Sequence, residues 1–193
     1  EVFLDCAREL ELVPTGWQGK KQLIRDYIRE TTGEDKAWQR IQGQVYGKGM
    51  SKANLFPGVY RFLWRCKCRG ITVDVISHRS EFGHFDEDKT PLRPAAMEFL
   101  EKVGIFRDDD KSFLHSVKFF QTREDKIRQI AQEQFDWFID DLPEVLDSNE
   151  FPENIKKLGF SPDGETAFES AQRVNSWVEI EGILLGEWTP EEL

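Results

Sequence analysis

The sequence lacks a basic excess and long apolar runs. Lys and Arg number 26 against 36 Asp and Glu, so the formal net charge is −10. This acidic balance argues against a surface that binds nucleic acid or anionic membranes nonspecifically. No apolar run approaches the roughly 20 residues that a membrane-spanning helix needs, and the amino-terminal residues do not resemble a signal peptide. We therefore expect neither a nucleic-acid nor a membrane partner.

Cysteine is also scarce, since Cys6, Cys66 and Cys68 are the three present among 193 residues. An odd and sparse set argues against a disulfide framework and favours a cytoplasmic location. Cys66 and Cys68 are two apart in a helical pattern, so their side chains are expected on different faces and make a poor metal pair. The length suits one large domain, or one domain with a small insert.

The first 54 residues contain no convincing strand pattern. Apolar residues at helical spacing predict three short amphipathic helices, within the segments "EVFLDCAREL", "KKQLIRDYIRETTG" and "EDKAWQRIQGQVYG". Pro57 and Gly58 in "SKANLFPG" mark the end of this region. We therefore predict a helical subdomain over 1–54 and a second domain over 55–193.

The second domain alternates between helix and strand patterns. The sequence predicts helices within 58–70, 91–104, 123–134 and 174–186, and strands within 71–78, 116–120, 135–141 and 155–161. Strands separated by helices imply right-handed crossovers and a parallel sheet covered on both faces, which is a three-layer α/β fold. The long loop over 78–92 leaves the end of a strand, where loops are usually functional.

Polar residues follow the predicted strands, at the edge where open parallel sheets bind their ligands. They comprise a hydroxyl, several cations and two carboxylates: Ser77, His78, Arg79, Arg123, Lys126, Asp140 and Asp141. Carboxylates hold Mg²⁺, and a Lys with a hydroxyl neutralises phosphoryl oxygens. Taken singly, Ser77 is also typical of a turn, Lys126 of a solvated helix, and the Asp pair of a helix cap before "LPEVL".

The order of these residues resembles a known family. Ser77 after an apolar strand, Lys126 near the start of a helix, and "FIDD" over 138–141 resemble motifs two, three and four of the haloacid dehalogenase-like (HAD) hydrolase superfamily. The resemblance implies a three-layer Rossmann-like core over 55–193. Residues 1–54 would then be an amino-terminal helical cap.

The sequence departs from that family at motif one. The nucleophile should be the first Asp of an Asp-x-Asp motif after the first strand. The nearest candidate is Asp5, but Ala7 stands where the second Asp should be, and the flanking residues have helical periodicity. The segment "EVFLDCAREL" instead resembles the helix that follows motif one. We therefore expect the nucleophile strand to lie ahead of Glu1.

The resemblance also implies a role for each remaining residue. Asp140 would ligate Mg²⁺, and Asp141 would support the metal shell. Ser77 would hydrogen-bond a phosphoryl oxygen while Lys126 offsets its charge, and His78 and Arg79 would contact the substrate. Ser77, Lys126 and Asp141 would thus assist an absent nucleophilic Asp.

These implications predict a Mg²⁺-dependent phosphatase that acts on a small phosphorylated metabolite through an aspartyl-phosphate intermediate. Two alternatives stay open. One is a non-catalytic protein of the same fold that binds phosphate or a partner. The other is a haloacid dehalogenase, which needs no cation.

Overall fold

The computed structural model describes residues 2–85 and 89–189. Contacts between residues divide the chain into two compact units. Unit 1 comprises Glu1–Asn54 and Arg79–Gly104, and unit 2 comprises Leu55–His78 and Ile105–Leu193. The segment over 79–104, which the sequence analysis assigned to the second domain, therefore groups with the amino-terminal helices. Residues 86–88 of the predicted functional loop lie outside the described residues.

Helices are the commonest elements. They are α1 (Val2–Glu9), α2 (Lys21–Thr32), α3 (Asp35–Tyr46), α4 (Val59–Cys68), α5 (Leu92–Lys102), α6 (Arg123–Gln132), α7 (Pro143–Leu146) and α8 (Trp177–Leu185), with a 3-10 turn at Lys48–Lys52. The strands are β1 (Asp74–His78), β2 (Ser116–Phe120), β3 (Trp137–Asp140), β4 (Lys156–Phe160) and β5 (Gln172–Val174). No helix among the described residues is long and apolar enough to cross a membrane.

Unit 1 is built on the amphipathic faces of its helices. Ile24 and Ile28, one turn apart on α2, are buried against Trp38 and Ile41 of α3. The ring of Phe3 on α1 stacks on Trp38 with 5.3 Å between centroids. The three amino-terminal helices predicted from the sequence are confirmed, and Trp38 packs in their core.

Unit 2 is mixed α/β, and all its strand pairs are parallel. β1 pairs with β2, while β3, β4 and β5 form a second sheet in that order. The α/β class and the parallel pairing predicted from the sequence are confirmed. Among the described residues, however, the strands form two separate sheets instead of one.

The core of unit 2 lies between α6, α7 and the strands. Ile127 and Ile130 of α6 are buried with Ile76 of β1 and with Val145 and Leu146 of α7. This packing fixes the start of α6 near the ends of the strands, where the candidate site lies.

Candidate functional site

Lys126 and Asp140 form the centre of the site. Lys126 lies at the start of α6, which begins after Thr122; the Thr122 hydroxyl caps the helix by accepting the backbone N–H of Asp125 at 3.1 Å. Asp140 is the last residue of β3. The Lys126 ammonium donates to the Asp140 carboxylate, and each side chain is only 6% exposed. A cation and a carboxylate that lie 14 residues apart are thereby joined in a nearly dry environment.

The second oxygen of Asp140 also has a partner. Asp140 Oδ1 accepts the backbone N–H of Leu142 at 3.0 Å, just before Pro143 opens α7. An aspartate that accepts the N–H two residues onward forms a local turn. This turn does not cap α7, because Leu142 is the N-cap residue of that helix and forms no side-chain capping hydrogen bond; the expectation that an Asp of the pair is the cap is therefore wrong. Both carboxylate oxygens of Asp140 nevertheless accept hydrogen bonds, from Lys126 and from the Leu142 N–H.

His78 connects the end of β1 to this pair. Burial is the main reason that the pKa of His78 falls below its ordinary value, and the nearby charges of Lys126 and Arg123 lower it further. Asp140 and Asp141 act in the opposite direction. Ile76 of β1, two residues before His78, packs in one apolar cluster with Ile127 of α6 and Phe138 of β3. The carboxyl ends of β1 and β3 and the start of α6 therefore converge.

Ser77 precedes His78 at the end of β1, and Asp141 comes directly after the end of β3. Ser77 is half-buried beside His78, and its hydroxyl makes no hydrogen bond with any residue that the structure describes. Asp141 follows Asp140 and is exposed. The hydroxyl is therefore available to a ligand.

Arg79 groups with unit 1. Its guanidinium donates to the carbonyl oxygens of Leu92 at 3.3 Å and Tyr46 at 3.5 Å, and it lies 5.2 Å from the centroid of the Tyr46 ring. These contacts stabilise the packing of α3 and α5 within that unit. The role of Arg79 in substrate binding stays a prediction.

Asp5, the nearest candidate for the nucleophile, lies within α1. Its carboxylate is 3.9 Å from the guanidinium of Arg8, one turn along the same helix. The helical periodicity noted in the sequence is thus confirmed.

Mg²⁺ fits the donors at the end of β3 in chemical type. Over the described ranges 2–85 and 89–189, no group of three or more His, Cys, Asp or Glu side chains surrounds a common point. Mg²⁺ does not require one, because it is often held by one or two carboxylates plus waters and substrate oxygens. Asp140 and Asp141 are the residues that would hold it, and Asp140 would then share its carboxylate with Lys126.

The sequence did not predict that Lys126 pairs directly with Asp140. Lys126 was expected to contact the phosphate, and Asp140 was expected to bind the metal. The available signal was a Lys in the first turns of a helix that leads into the strand ending at Asp140. Residues so connected can meet at the carboxyl edge of a parallel sheet.

The chain was compared with protein-family models, with curated proteins and with solved structures, and none of the three comparisons gives a match.

Proposed function

We propose that the protein is a Mg²⁺-dependent phosphomonoester hydrolase of the HAD-like type, with a three-layer core and a helical cap, acting on a small phosphorylated metabolite. The observation that supports this most is the convergence of His78, Lys126 and Asp140 at the carboxyl ends of β1 and β3. Catalytic groups in α/β folds are expected at this edge. The proposal includes a cytoplasmic location, which the three free cysteine thiols support.

The reaction would proceed in two displacements. A carboxylate oxygen of an aspartate attacks phosphorus, the bond to the leaving-group oxygen breaks, and that oxygen takes a proton from a second carboxyl group. A water molecule then gives a proton to that second carboxylate and attacks the phosphorus of the aspartyl-phosphate; the bond between phosphorus and the aspartate oxygen breaks, which releases phosphate and restores both carboxyl groups. The attacking aspartate would come from the Asp-x-Asp motif that the resemblance implies.

Residues of this chain would orient and neutralise the phosphoryl group. The Ser77 hydroxyl, which makes no hydrogen bond with any described residue, would donate to a phosphoryl oxygen. Lys126 would stabilise the charge that develops there, since a cation in a dry site acts more strongly than in water. Mg²⁺, when bound by Asp140 and Asp141, supplies further charge neutralisation.

A second candidate function is binding of phosphate without catalysis. The observation that favours it is that both carboxylate oxygens of Asp140 already accept hydrogen bonds, one from Lys126 and one from the Leu142 N–H. A phosphate held by Lys126, Ser77 and His78 would need neither a metal nor a nucleophile.

The first test concerns the natural protein. Intact mass and amino-terminal sequencing would show whether an Asp-x-Asp segment precedes Glu1, as the proposed mechanism requires. The same protein is then assayed for phosphate release from an aryl phosphate with and without Mg²⁺. We expect release that depends on Mg²⁺; a natural protein that begins at Glu1 would contradict the hydrolase proposal and favour simple phosphate binding.

The variant Asp140→Asn tests the role of Asp140 in the same phosphate-release assay. We expect it to lose at least about 100-fold in kcat, because the amide cannot supply the charge that orients Lys126 and Mg²⁺. Asp108→Asn is the control, since Asp108 is an exposed carboxylate in the loop before β2. Equal rates for the two variants, with both proteins folded, would exclude Asp140 from the catalytic site.

A further inference from the structure

A partly exposed aromatic cluster lies at the carboxyl end of β4. Phe160 is the last residue of that strand and is only 9% exposed. The ring of Phe56 meets it edge to face with 5.1 Å between centroids, and the ring of Trp177 lies 6.0 Å from it. Phe56 itself is 52% exposed. One aromatic ring is therefore held against a buried ring while much of its own surface stays open to a ligand.

The turn before α4 fixes the position of Phe56. The backbone N–H of Val59 donates to the Phe56 carbonyl at 3.2 Å, which closes a tight turn through Pro57 and Gly58. Gly58 has a φ of +94°, and a Cβ at this position would lie 3.1 Å from the Cβ of Trp177. Glycine therefore allows the turn to pack directly against Trp177. Because the turn is already ordered, a ligand that contacts Phe56 does not have to order the backbone there.

The strand register places this cluster beside the Lys126–Asp140 pair. Asp140 of β3 lies opposite Gly159 of β4, and Phe160 is the next residue along β4. Neighbouring strands are about 4.8 Å apart, and successive residues of a strand point to opposite faces of the sheet. The aromatic cluster is therefore one strand away from the Lys126–Asp140 pair, across the carboxyl edge of the sheet. A ligand that contacts Lys126 reaches Phe56 by crossing this edge, where parallel sheets bind their ligands.

The end of β5 adds a polar group at the same edge. Val174 of β5 lies opposite Phe160, and Asn175 follows it directly. Asn175 is exposed, and its side-chain amide makes no hydrogen bond with any residue that the structure describes. An amide both donates and accepts hydrogen bonds, and so do the edges of nucleobases. Two strand spacings, about 10 Å, separate β3 from β5, which is comparable with the length of a nucleoside monophosphate.

We propose that the aromatic cluster is the ring-binding part of the substrate site and that the substrate is a nucleoside monophosphate. The phosphate contacts Lys126 and Ser77, and the base stacks on Phe56. The edge of the base hydrogen-bonds to the amide of Asn175. The position of the phosphate rests on the proposed function, whereas the exposed ring and the amide do not. Stacking suits every nucleobase because each has a π face, so Phe56 selects the class of substrate and Asn175 discriminates among bases.

The experiment measures the binding of three probes to the full 193-residue chain by calorimetry in the presence of Mg²⁺. The probes are adenosine 5′-monophosphate, ribose 5-phosphate, which lacks the base, and adenosine, which lacks the phosphate. We expect adenosine 5′-monophosphate to bind at least about tenfold more tightly than ribose 5-phosphate, as stacking on one aromatic side chain predicts. Adenosine should bind more weakly than its monophosphate, because it has no group for Lys126.

Phe56→Ala and Tyr60→Ala form a matched pair of variants. Tyr60 lies four residues after Phe56, is 51% exposed and also meets a neighbouring ring edge to face, that of Phe113 at 5.0 Å. We expect Phe56→Ala to weaken adenosine 5′-monophosphate at least about tenfold and to leave ribose 5-phosphate unchanged. Tyr60→Ala should bind both probes normally, and Phe56→Tyr should retain the affinity because it keeps the ring. Phe56→Leu replaces Phe56→Ala if the latter does not fold.

Asn175→Ala and Gln172→Ala test the polar contact. Gln172 is also an exposed amide without a described partner, but it lies at the amino end of β5. We expect Asn175→Ala to weaken adenosine 5′-monophosphate by about threefold to tenfold, the effect of one or two lost hydrogen bonds. Its affinity for ribose 5-phosphate should not change, and Gln172→Ala should bind both probes normally.

Several outcomes would overturn the inference. They are a failure of adenosine 5′-monophosphate to bind, equal affinity for it and ribose 5-phosphate, and an unchanged affinity in folded Phe56→Ala. Phosphate release is measured separately, so the proposed hydrolase activity can fail independently. Equal kcat/KM for the two phosphates would retain the hydrolase and exclude the ring site. Tight binding of adenosine 5′-monophosphate through Phe56 without any phosphate release would exclude the hydrolase and support the ring site.

Discussion

At the scale of single residues, Lys126 and Asp140 form a buried ion pair at the centre of the site. Removal of one partner leaves a buried charge without compensation, which typically costs about 3–5 kcal/mol. We predict a loss of that size in the free energy of unfolding for Lys126→Ala, measured by urea denaturation.

Lys118→Ala is the matched control for this prediction. Lys118 pairs with Glu133 in the same unit, but both side chains are about one-third exposed. Water compensates an exposed charge, so we expect a much smaller loss. Equal losses in the two variants would show that the Lys126–Asp140 pair is not buried in solution.

His78 provides a prediction on pH. Burial and the Lys126 charge hold its pKa below the ordinary 6.5. Between the folded pKa and about 6.5, the unfolded chain therefore binds a proton at His78 and the folded protein does not. The free energy of unfolding is unaffected by this difference above about pH 6.5, and it decreases as the pH falls from there toward the folded pKa. We expect the free energy of unfolding, measured by urea denaturation between about pH 5 and 7, to change less steeply with pH for His78→Gln than for the natural sequence.

The same pKa tests the geometry at the carboxyl ends of the strands. In an NMR titration, Lys126→Met should raise the pKa of His78 because a nearby cation is lost. Arg128→Met is the control, since Arg128 is an exposed residue of α6 that pairs with Asp125. An unchanged His78 pKa in Lys126→Met would mean that the strand ends do not converge.

At the scale of secondary-structure elements, two glycines of unit 2 differ sharply in their surroundings. A Cβ added to Gly159 in β4 would collide with the ring of Phe168, whereas one added to Gly182 in α8 would meet nothing within 4 Å. We predict that Gly159→Ala destabilises the protein by about 1–3 kcal/mol. Gly182→Ala should stabilise it by about 0.5–1 kcal/mol, because helical Gly loses more entropy on folding than Ala. Thermal unfolding of both variants checks the pair, and the same sign for both would contradict the packing of Phe168.

Element types were largely predictable, while short elements were not. The segments "SVKFF" and "REDKIRQIAQEQ" have clear strand and helix patterns, and β2 and α6 lie within them. β5 was not predicted: its three residues, Gln172–Val174, have no apolar alternation and are ordered by pairing with β4. Pairing of that kind depends on a neighbour distant in sequence, so local patterns cannot reveal it.

At the scale of the whole molecule, two buried cysteines report on the two units separately. Cys6 belongs to unit 1 and Cys66 to unit 2, and burial raises the pKa of each thiol to about 11. Only the thiolate reacts, and at pH 8 a pKa of 11 leaves about one thiolate in 1,000. We predict that iodoacetamide modifies the exposed Cys68 first. Cys6 and Cys66 should react only when urea unfolds the unit that contains each of them. Mass spectrometry of peptides measures the labelling of each cysteine, and rapid labelling of either in the native protein would contradict its burial.

The sequence by itself determined the acidic character, the alternation of helix and strand, and the polar residues that follow the strands. These depend on composition and on local periodicity, which each segment possesses alone. Only the tertiary structure decided that Arg79 packs in unit 1, that Lys126 donates to Asp140, and that the strands form two sheets. The physical reason is that ion pairs and strand pairing arise between residues far apart along the chain, where the free energy of burial and hydrogen bonding selects among many arrangements that the local pattern allows.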